Sequence, residues 1–358
     1  MRQLIFIAFY PDENSIKEGM AQRVNSIDKI FKGQDRTYLQ ISFSKNIRKT
    51  TICCNDNFKI IKLNFFLHYI DIMKYFKNVE GVYIHSIYNY CKIMPFIKLL
   101  RKKTIKIVLD VHGAVPEELE FNKNYIRSKI YDYIEKHAFN NVNFAIFVNN
   151  AMKNHFLSKH SYFKGQSLVY SIQGNDFSKL DDNIIENLKK SLNIRDNDIV
   201  FIYSGNSQKW QNIDLMFEKI KITDNENYKF IILSKEIDYF NKLIDKYGIS
   251  RQNVILRTVE PSELSAYYEI SNYGFILRDD HILNKVACPT KLVEYLYYGI
   301  IPIVKYEHIG DFKQYGYEYV KITDFDSNFK QRKSDINRNI AKMMLCNSNF
   351  DEIKDLFK

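Results

Sequence analysis

The sequence contains no run of about 18 apolar residues, so no segment reads as a membrane-spanning helix. Its N-terminus offers one arginine and the short apolar run 4–9 before Pro11 and Asp12, which reads as a strand and not a secretory signal. Cysteine is sparse. The five are Cys53, Cys54, Cys91, Cys288 and Cys346, an odd number with no CxxC pair and no Cys/His ligand spacing. That argues against a disulfide framework and structural zinc, and a reducing cytoplasm fits. GxGxxG and GxxxxGK[ST] are both missing, which weighs against a dinucleotide dehydrogenase or a P-loop enzyme. There is no internal repeat and no low-complexity segment. What is present is ordinary for a folded protein: 358 residues, 46% hydrophobic and 26% charged, enough for two domains. The net charge of +10 favours acidic partners such as nucleic acid, nucleotide phosphates or anionic lipid, without choosing among them.

Short apolar runs alternate with helical periodicity from end to end. Strands are expected at 4–9, 37–43, 59–63, 81–85, 105–109, 144–148 and 167–170. A second series follows at 199–203, 229–233, 253–256, 273–277, 300–304 and 318–320. Amphipathic helices are expected between them, at 16–31, 125–139, 215–221, 237–247 and 262–270. This alternation means an α/β protein with mostly parallel sheets. The polar stretch 173–182 reads as a linker, giving two Rossmann-like halves, 1–172 and 173–335, and a helical tail, 336–358. Ligands of such sheets sit at the C-terminal strand ends, and with two facing halves the expected site is the cleft between them.

Four loops follow expected strands. The first, 10–23 (YPDENSIKEGMAQR), holds Gly19, which admits close backbone approach before a helix start; the plainer alternative is a polar surface loop. It ends on Arg23. The second, 110–118 (DVHGAVPEE), puts His112 just past a strand end, where proton transfer near neutral pH is a candidate role beside a structural one. Glu117 and Glu118 either orient it or begin the next helix, where acidic residues favour the dipole. The third, 203–211 (YSGNSQKWQ), has Gly205 to leave backbone amides accessible and Lys209 as a point charge suited to a diphosphate. Trp210, the one Trp, either covers a ligand or fills a core at a helix start. The fourth runs from Arg278, able to contact phosphate bidentately, through Asn284 into 288–304 (CPTKLVEYLYYGIIPIV). There Lys291 and Glu294 are three apart, one helical turn. Pro289 suits the helix start, Gly299 its end, and 300–304 a buried strand. A helix N-terminus attracts an anion and a carboxylate accepts hydroxyl hydrogen bonds, which suits a phosphate-bearing sugar ligand. An ordinary αβ unit with a surface ion pair is the alternative.

Together these loops resemble GT-B glycosyltransferases of the family 4-like group, which includes bacterial capsule, lipopolysaccharide and mannosyl transferases. The resemblance is carried by YSGNSQKWQ, by VEPSELSAYYEISNYGFILRDD and by PTKLVEYLYYGIIPIV, and is strongest over 199–304. It implies a GT-B fold, with an N-terminal acceptor domain and a C-terminal nucleotide-sugar domain. It implies sugar transfer from a nucleotide-diphosphate sugar to a glycan or lipid-linked glycan in bacterial surface polysaccharide synthesis, with retention of configuration. By position it puts Lys209 on the diphosphate, Glu294 on the ribose, 261–268 near the base, Gly19 near the phosphates and acceptor, and His112 near the transferred sugar. Joined to the reading of the loops themselves, the candidates are His112, Lys209 and Arg278 for catalysis, Gly19, Gly205, Asn284, Lys291 and Glu294 for the donor, and Arg23, Glu117 and Glu118 for the acceptor. Two positions depart from the pattern. Val286 stands where many relatives carry a glutamate, so the sugar hydroxyls need another partner, among Asp279, Asp280 or backbone near Asn284. Asn206 stands where relatives often carry arginine, a charge that Arg278 could supply.

No DxD-type pair stands out, since Asp279 and Asp280 are adjacent and Asp181 and Asp182 fall in the linker, so no cofactor and no essential divalent ion are expected. The stretch 92–103 (KIMPFIKLLRKK) mixes apolar and basic residues. It reads either as a contact with an anionic membrane surface or as a helix with a solvated basic end. The rival activities are a GT-B-shaped sugar-nucleotide epimerase and a basic nucleic-acid-binding protein. The second lacks any basic-aromatic motif in its favour.

Overall fold

A computed structural model describes the chain apart from residues 1–2, 12–18, 56, 78, 103–104, 172–179, 224, 326–327, 347–349 and 358. It divides into two compact units, Met1–Gln173 with Ser348–Lys358, and Gly174–Asn347.

Unit 1 is built on eight strands: β1 (Gln3–Ile7), β2 (Arg36–Ser42), β3 (Thr50–Asn55), β4 (Phe58–Asn64), β5 (Val79–His85), β6 (Lys106–Val111), β7 (Phe144–Phe147) and β8 (Gln166–Val169). Their order is β3-β4-β2-β1-β5-β6-β7-β8. Every pairing is parallel except β3 on β4. The central strands are continuous apolar runs because helices cover both faces of such a sheet. Phe6 anchors the core, stacked 4.9 Å from Tyr38 and 5.5 Å from Tyr83. Edge strand β3 (TTICCN) is exposed at every residue, so no inward-facing pattern announced it.

Unit 2 holds β9 (Ile199–Ser204), β10 (Tyr228–Leu233), β11 (Val254–Arg257), β12 (Tyr273–Ile276), β13 (Ile301–Val304) and β14 (Val320–Lys321). All are parallel, in the order β11-β10-β9-β12-β13-β14. The expected class, α/β with two mostly parallel sheets, is the one observed. Each sheet has a switch point, between β1 and β5 and between β9 and β12, and ligands of such sheets collect at the C-terminal strand ends there.

Two expectations need correcting, and the helical tail 336–358 divides between the two units. Helix Asp335–Cys346 buries Ile340, Ala341 and Met344 in unit 2, whereas Ile353, Leu356 and Phe357 fill a core of unit 1 beside Phe31. The linker's last residues are a helix start: Asp181 caps helix Asp182–Ser191, accepting the Asn183 N–H at 2.9 Å. Finally, 92–103 offers no apolar face to lipid, because Ile93, Phe96, Ile97 and Leu100 are all buried.

Candidate active site

In unit 2 the loop after β9 begins at Gly205, whose φ is +147°, a value open to glycine. Its N–H donates to Leu233 O at 2.9 Å, so this amide is used within the sheet and not presented to a ligand, contrary to the sequence reading. What the glycine supplies is space: a Cβ there would stand 3.2 Å from Lys291 Nζ and 3.3 Å from the Tyr203 hydroxyl. The loop is fixed by the Tyr203 hydroxyl donating to Asn206 O and by Ser207 N–H donating to Glu236 at 2.6 Å. Lys209 lies exposed on the short turn Lys209–Gln211, with Trp210 half-buried beside it. Asn212 takes a left-handed φ of 50° and its amide donates to Leu277 O at 2.6 Å, tying this turn to the end of β12.

Lys291 and Glu294 share helix Thr290–Tyr297, which ends at Gly299 with φ +67°, as the spacing implied. The Lys291 ammonium sits 4.0 Å above the Tyr203 ring and 3.5 Å from Gln211 Oε1. Burial holds it well below the ordinary lysine range and the Arg278 charge adds to this, while Glu294 opposes. Arg278, just past β12, donates to Asn284 Oδ1 at 3.3 Å, and the buried Asn284 in turn donates to Asp279 O at 2.9 Å. Burial pulls Arg278 down to about 10, which still leaves a full charge at neutral pH. Two cations therefore stand in one partly enclosed place with neutral partners, a state that an anion would relieve. Asn284 acts by orienting Arg278.

Glu294 is buried and accepts from the Tyr268 hydroxyl at 3.0 Å, and that hydroxyl also lies 2.8 Å from Ser204 Oγ. Burial pushes the Glu294 carboxyl up to about 7, against the Tyr268 hydrogen bond and the Lys291 charge. Sequence reasoning missed Ser204, Tyr268 and Lys333. The Lys333 ammonium donates at 2.9 Å to both Tyr268 O and Tyr298 O, bonding the C-terminal ends of the two helices that carry Tyr268 and Glu294. Tyr268 lay within the segment read as near the base, but nothing in its spacing showed that it meets Glu294. Val286 is buried. Asp279 pairs with Lys305 and Asp280 with Lys285, so these two carboxylates turn to lysines and do not converge.

In unit 1 the second turn of the winding holds Asp110 at the end of β6. Arg23 grips both its oxygens at 3.0 Å, and the Tyr83 hydroxyl donates to it at 3.0 Å. Arg23 also donates to Tyr170 O at 2.7 Å and is 2% exposed, so it cannot meet an acceptor as expected; it is a structural partner of Asp110. Burial alone would raise the Asp110 carboxyl, and Arg23 with the two neighbouring histidines holds it well below its ordinary range. His85 Nδ1 lies 3.4 Å and His112 Nδ1 3.9 Å from Asp110. All four ring nitrogens of these histidines are buried without a hydrogen-bond partner. Burial pushes His112 down to about 4, with His85 and Arg23 adding and Asp110 opposing. The ring is thus neutral at pH 7, suited to hydrogen bonding more than to storing a proton. Among the described residues His85, Asp110 and His112 are the one trio whose ligand atoms come within 4.8 Å of each other. A cation there would face Arg23 across the carboxylate it already occupies, so the trio fits a divalent ion poorly.

Glu117 opens helix Val115–Phe121 and is bound by Lys159 at 2.8 Å and His155 at 3.2 Å, which hold it down to about 2 against burial. It does not orient His112. Glu118 is half-buried in the same first turn, raised by that burial. Of the alternatives open in the sequence, both carboxylates take the helix-start one. Gly19 begins helix Gly19–Ile30, and the loop before it lies outside the described residues.

No curated protein sequence matches this chain. Residues 184–311 match the domain family described as glycosyl transferases group 1. Solved structures match the whole chain. Sucrose-phosphate synthase from Thermosynechococcus elongatus has 12% identity and a TM-score of 0.69, covering 99% of this chain and 96% of its own. A trehalose-6-phosphate structure from E. coli, bound with UDP-2-fluoro glucose, has 11% identity and a TM-score of 0.65, with 100% and 99% covered. HepE from Anabaena in complex with UDP has 12% identity and a TM-score of 0.67, with 99% and 97% covered. Such low identities establish the fold, and the domain match in unit 2 covers β9 through β13, where Lys291, Arg278 and Glu294 stand. By fold and by this domain the chain is a glycosyltransferase of the GT-B type.

Proposed function

We propose that this enzyme moves a sugar from a nucleotide-diphosphate sugar to a glycan or lipid-linked glycan in bacterial surface polysaccharide synthesis, with retention and without an essential metal. The observation that carries the donor part is the pair Lys291 and Arg278, two under-compensated cations that feel each other's charge, with Lys291 beside Gly205 and one helical turn from the buried carboxylate Glu294. The cations fit a diphosphate, and Glu294 fits ribose hydroxyls. In transfer the bond from the anomeric carbon to the phosphate oxygen breaks and a bond to the acceptor oxygen forms. The acceptor's proton leaves with the diphosphate or to water. Held positive charge lowers the barrier by stabilising the departing diphosphate, with Lys209 on the same loop a further contributor. His112, neutral, is assigned a hydrogen bond to a hydroxyl of the transferred sugar. The acceptor assignment rests on the resemblance of the four loops to surface-polysaccharide enzymes.

Two neighbours were solved with UDP or a UDP-sugar, so uridine is the first base to test. Thermal melting with UDP, GDP and ADP should give one dominant upward shift, because a ligand of the native state stabilises it. No shift from any of the three would remove the donor reading. Supplying the matching sugar nucleotide with a lipid-linked acceptor should then give glycosylated lipid. Release of free nucleotide without acceptor would indicate the epimerase instead, and activity lost to EDTA and restored by Mn²⁺ would overturn the metal-free mechanism.

A further inference from the structure

The parallel run of β2, β4, β5 and β6 places the loops after β2 and β4 on the same sheet edge as His85 and His112. Those two loops, with the helix Tyr69–Tyr75 that follows the second, expose large apolar side chains: Ile47, Phe66, Leu67 and Ile70 are 64–70% exposed. The two loops meet: the Phe43 ring is 5.0 Å from that of Phe65 and 6.0 Å from that of Phe66.

The surface is built rather than loose. Buried Asn64 donates to Phe43 O at 3.3 Å and Lys45 O at 2.9 Å, and its oxygen accepts from Phe66 N–H at 3.0 Å and Leu67 N–H at 3.2 Å. One side chain thus locks the two loops together. Beneath them Tyr69 packs 4.6 Å from the buried ring of Phe96, so the exposed tips stand on a rigid aromatic base. Charge decides what covers them. Between 43 and 51 there is no acidic residue, while Lys45, Arg48 and Lys49 are all exposed. The nearby carboxylate of Asp71 is shared by Lys49 at 3.4 Å and Lys74 at 3.6 Å. The rim therefore carries a net positive charge around an apolar tip.

We propose that this surface seats unit 1 on an anionic lipid bilayer, with Phe66, Leu67 and Ile70 entering the headgroup boundary and Lys45 and Arg48 contacting lipid phosphates. The lipid contact that the sequence suggested at 92–103 moves to the loops after β2 and β4. The purpose of the contact rests on the lipid-linked acceptor of the proposed function, but the contact itself needs neither donor nor acceptor.

Vesicle flotation of the full chain tests it, with phosphatidylglycerol–phosphatidylcholine vesicles against phosphatidylcholine alone. The protein should float with the anionic vesicles and be released by raised salt. F66S/L67S/I70S should lose flotation. K45Q/R48Q should bind roughly thirtyfold more weakly, at about one kcal/mol for each basic residue near the surface. A single I70C variant labelled with a polarity-sensitive dye should shift to the blue on adding anionic vesicles, a readout independent of any folding defect in the triple variant. Equal flotation of the triple variant, or no flotation of the unchanged protein at low salt, would overturn the proposal. A smaller oligomer for the triple variant than for the unchanged protein would also overturn it, assigning the patch to contact between copies. The nucleotide-induced melting shift, read on the same samples without vesicles, reports on the donor reading separately.

Discussion

The two units share one winding and treat buried charge in opposite ways. At the strand ends of unit 1, Arg23 and Asp110 cancel: the carboxylate has both oxygens on the guanidinium and a tyrosine hydroxyl besides. At the strand ends of unit 2, Lys291 and Arg278 have only neutral partners, and the adjacent carboxylate, Glu294, is itself pushed toward its protonated form. A cancelled pair fixes backbone and asks for nothing further. An uncancelled set costs stability in the empty protein and recovers it when an anion arrives. The contrast marks the strand ends of unit 2 as the candidate binding site without reference to any relative.

The sharpest way to break that contrast is Asp110→Ala. It strands Arg23 as a buried, unpaired cation, and should cost about 3–5 kcal/mol in urea denaturation of unit 1. R23M/D110A should be far milder than D110A alone, since neither charge is left over. Equal losses in the two variants would mean that Asp110 matters through Tyr83 and the histidines, and not through the pair.

The unit 2 site makes the opposite claim about pH. The Glu294 carboxyl ordinarily titrates near 4.5 and stands at about 7 in the fold, so its contribution to stability is full below 4.5 and is lost as pH rises through about 7. The loss is on the order of 3 kcal/mol. Lys291, depressed in the fold, works in the other sense, so the measurement is cleanest with K291M as background. There the stability of unit 2 should fall as pH rises, and K291M/E294Q should be flat over the same range. A slope that survives E294Q would place the titration elsewhere.

Lys291→Met sharpens the comparison further, because it should move empty and occupied protein in opposite directions. Removing a desolvated, uncompensated cation should raise the melting temperature of the ligand-free enzyme. Losing a charge-assisted contact to phosphate should weaken nucleotide binding by about 2 kcal/mol, some thirtyfold. Titration calorimetry with UDP checks the second half. If both quantities fall, Lys291 is structural after all.

The sequence exposed the unit 2 elements well and their partnerships poorly. Strand β12 was expected at 273–277 and runs Tyr273–Ile276, and helix Thr290–Tyr297 with β13 follows the start and stop signals of Pro289 and Gly299. Periodicity is local, and local signals fix such elements. What decides Arg23 is Asp110, 87 residues away, and what decides Glu294 is Tyr268, 26 residues away. An arginine destined for burial looks the same in sequence as one left in solvent. Edge strand β3 escaped for a related reason: with every residue exposed it has no alternation to read. The final turn at 353–357 is legible as a helix end, but not as a plug for the core around Phe31.

The smallest effect tests whether that unseen partner of Glu294 does more than fill space. Tyr268→Phe keeps the ring, which packs 5.5 Å from Tyr295, and removes one hydroxyl shared between Ser204 and Glu294. Loss of a buried hydrogen bond should cost about 1 kcal/mol. A structural role would stop there. The hydroxyl also lowers the Glu294 carboxyl, so its removal should carry that group's titration upward. If ribose hydroxyls are held by the ionised carboxylate, UDP affinity rises with pH through the Glu294 titration, and in Y268F the same rise should begin at higher pH. At a pH well above the shifted midpoint the two proteins should bind alike, because both then present a carboxylate. A uniform weakening at every pH would reduce Tyr268 to packing, whereas a displaced profile with a shared plateau would make it the residue that sets when Glu294 is ready for the donor.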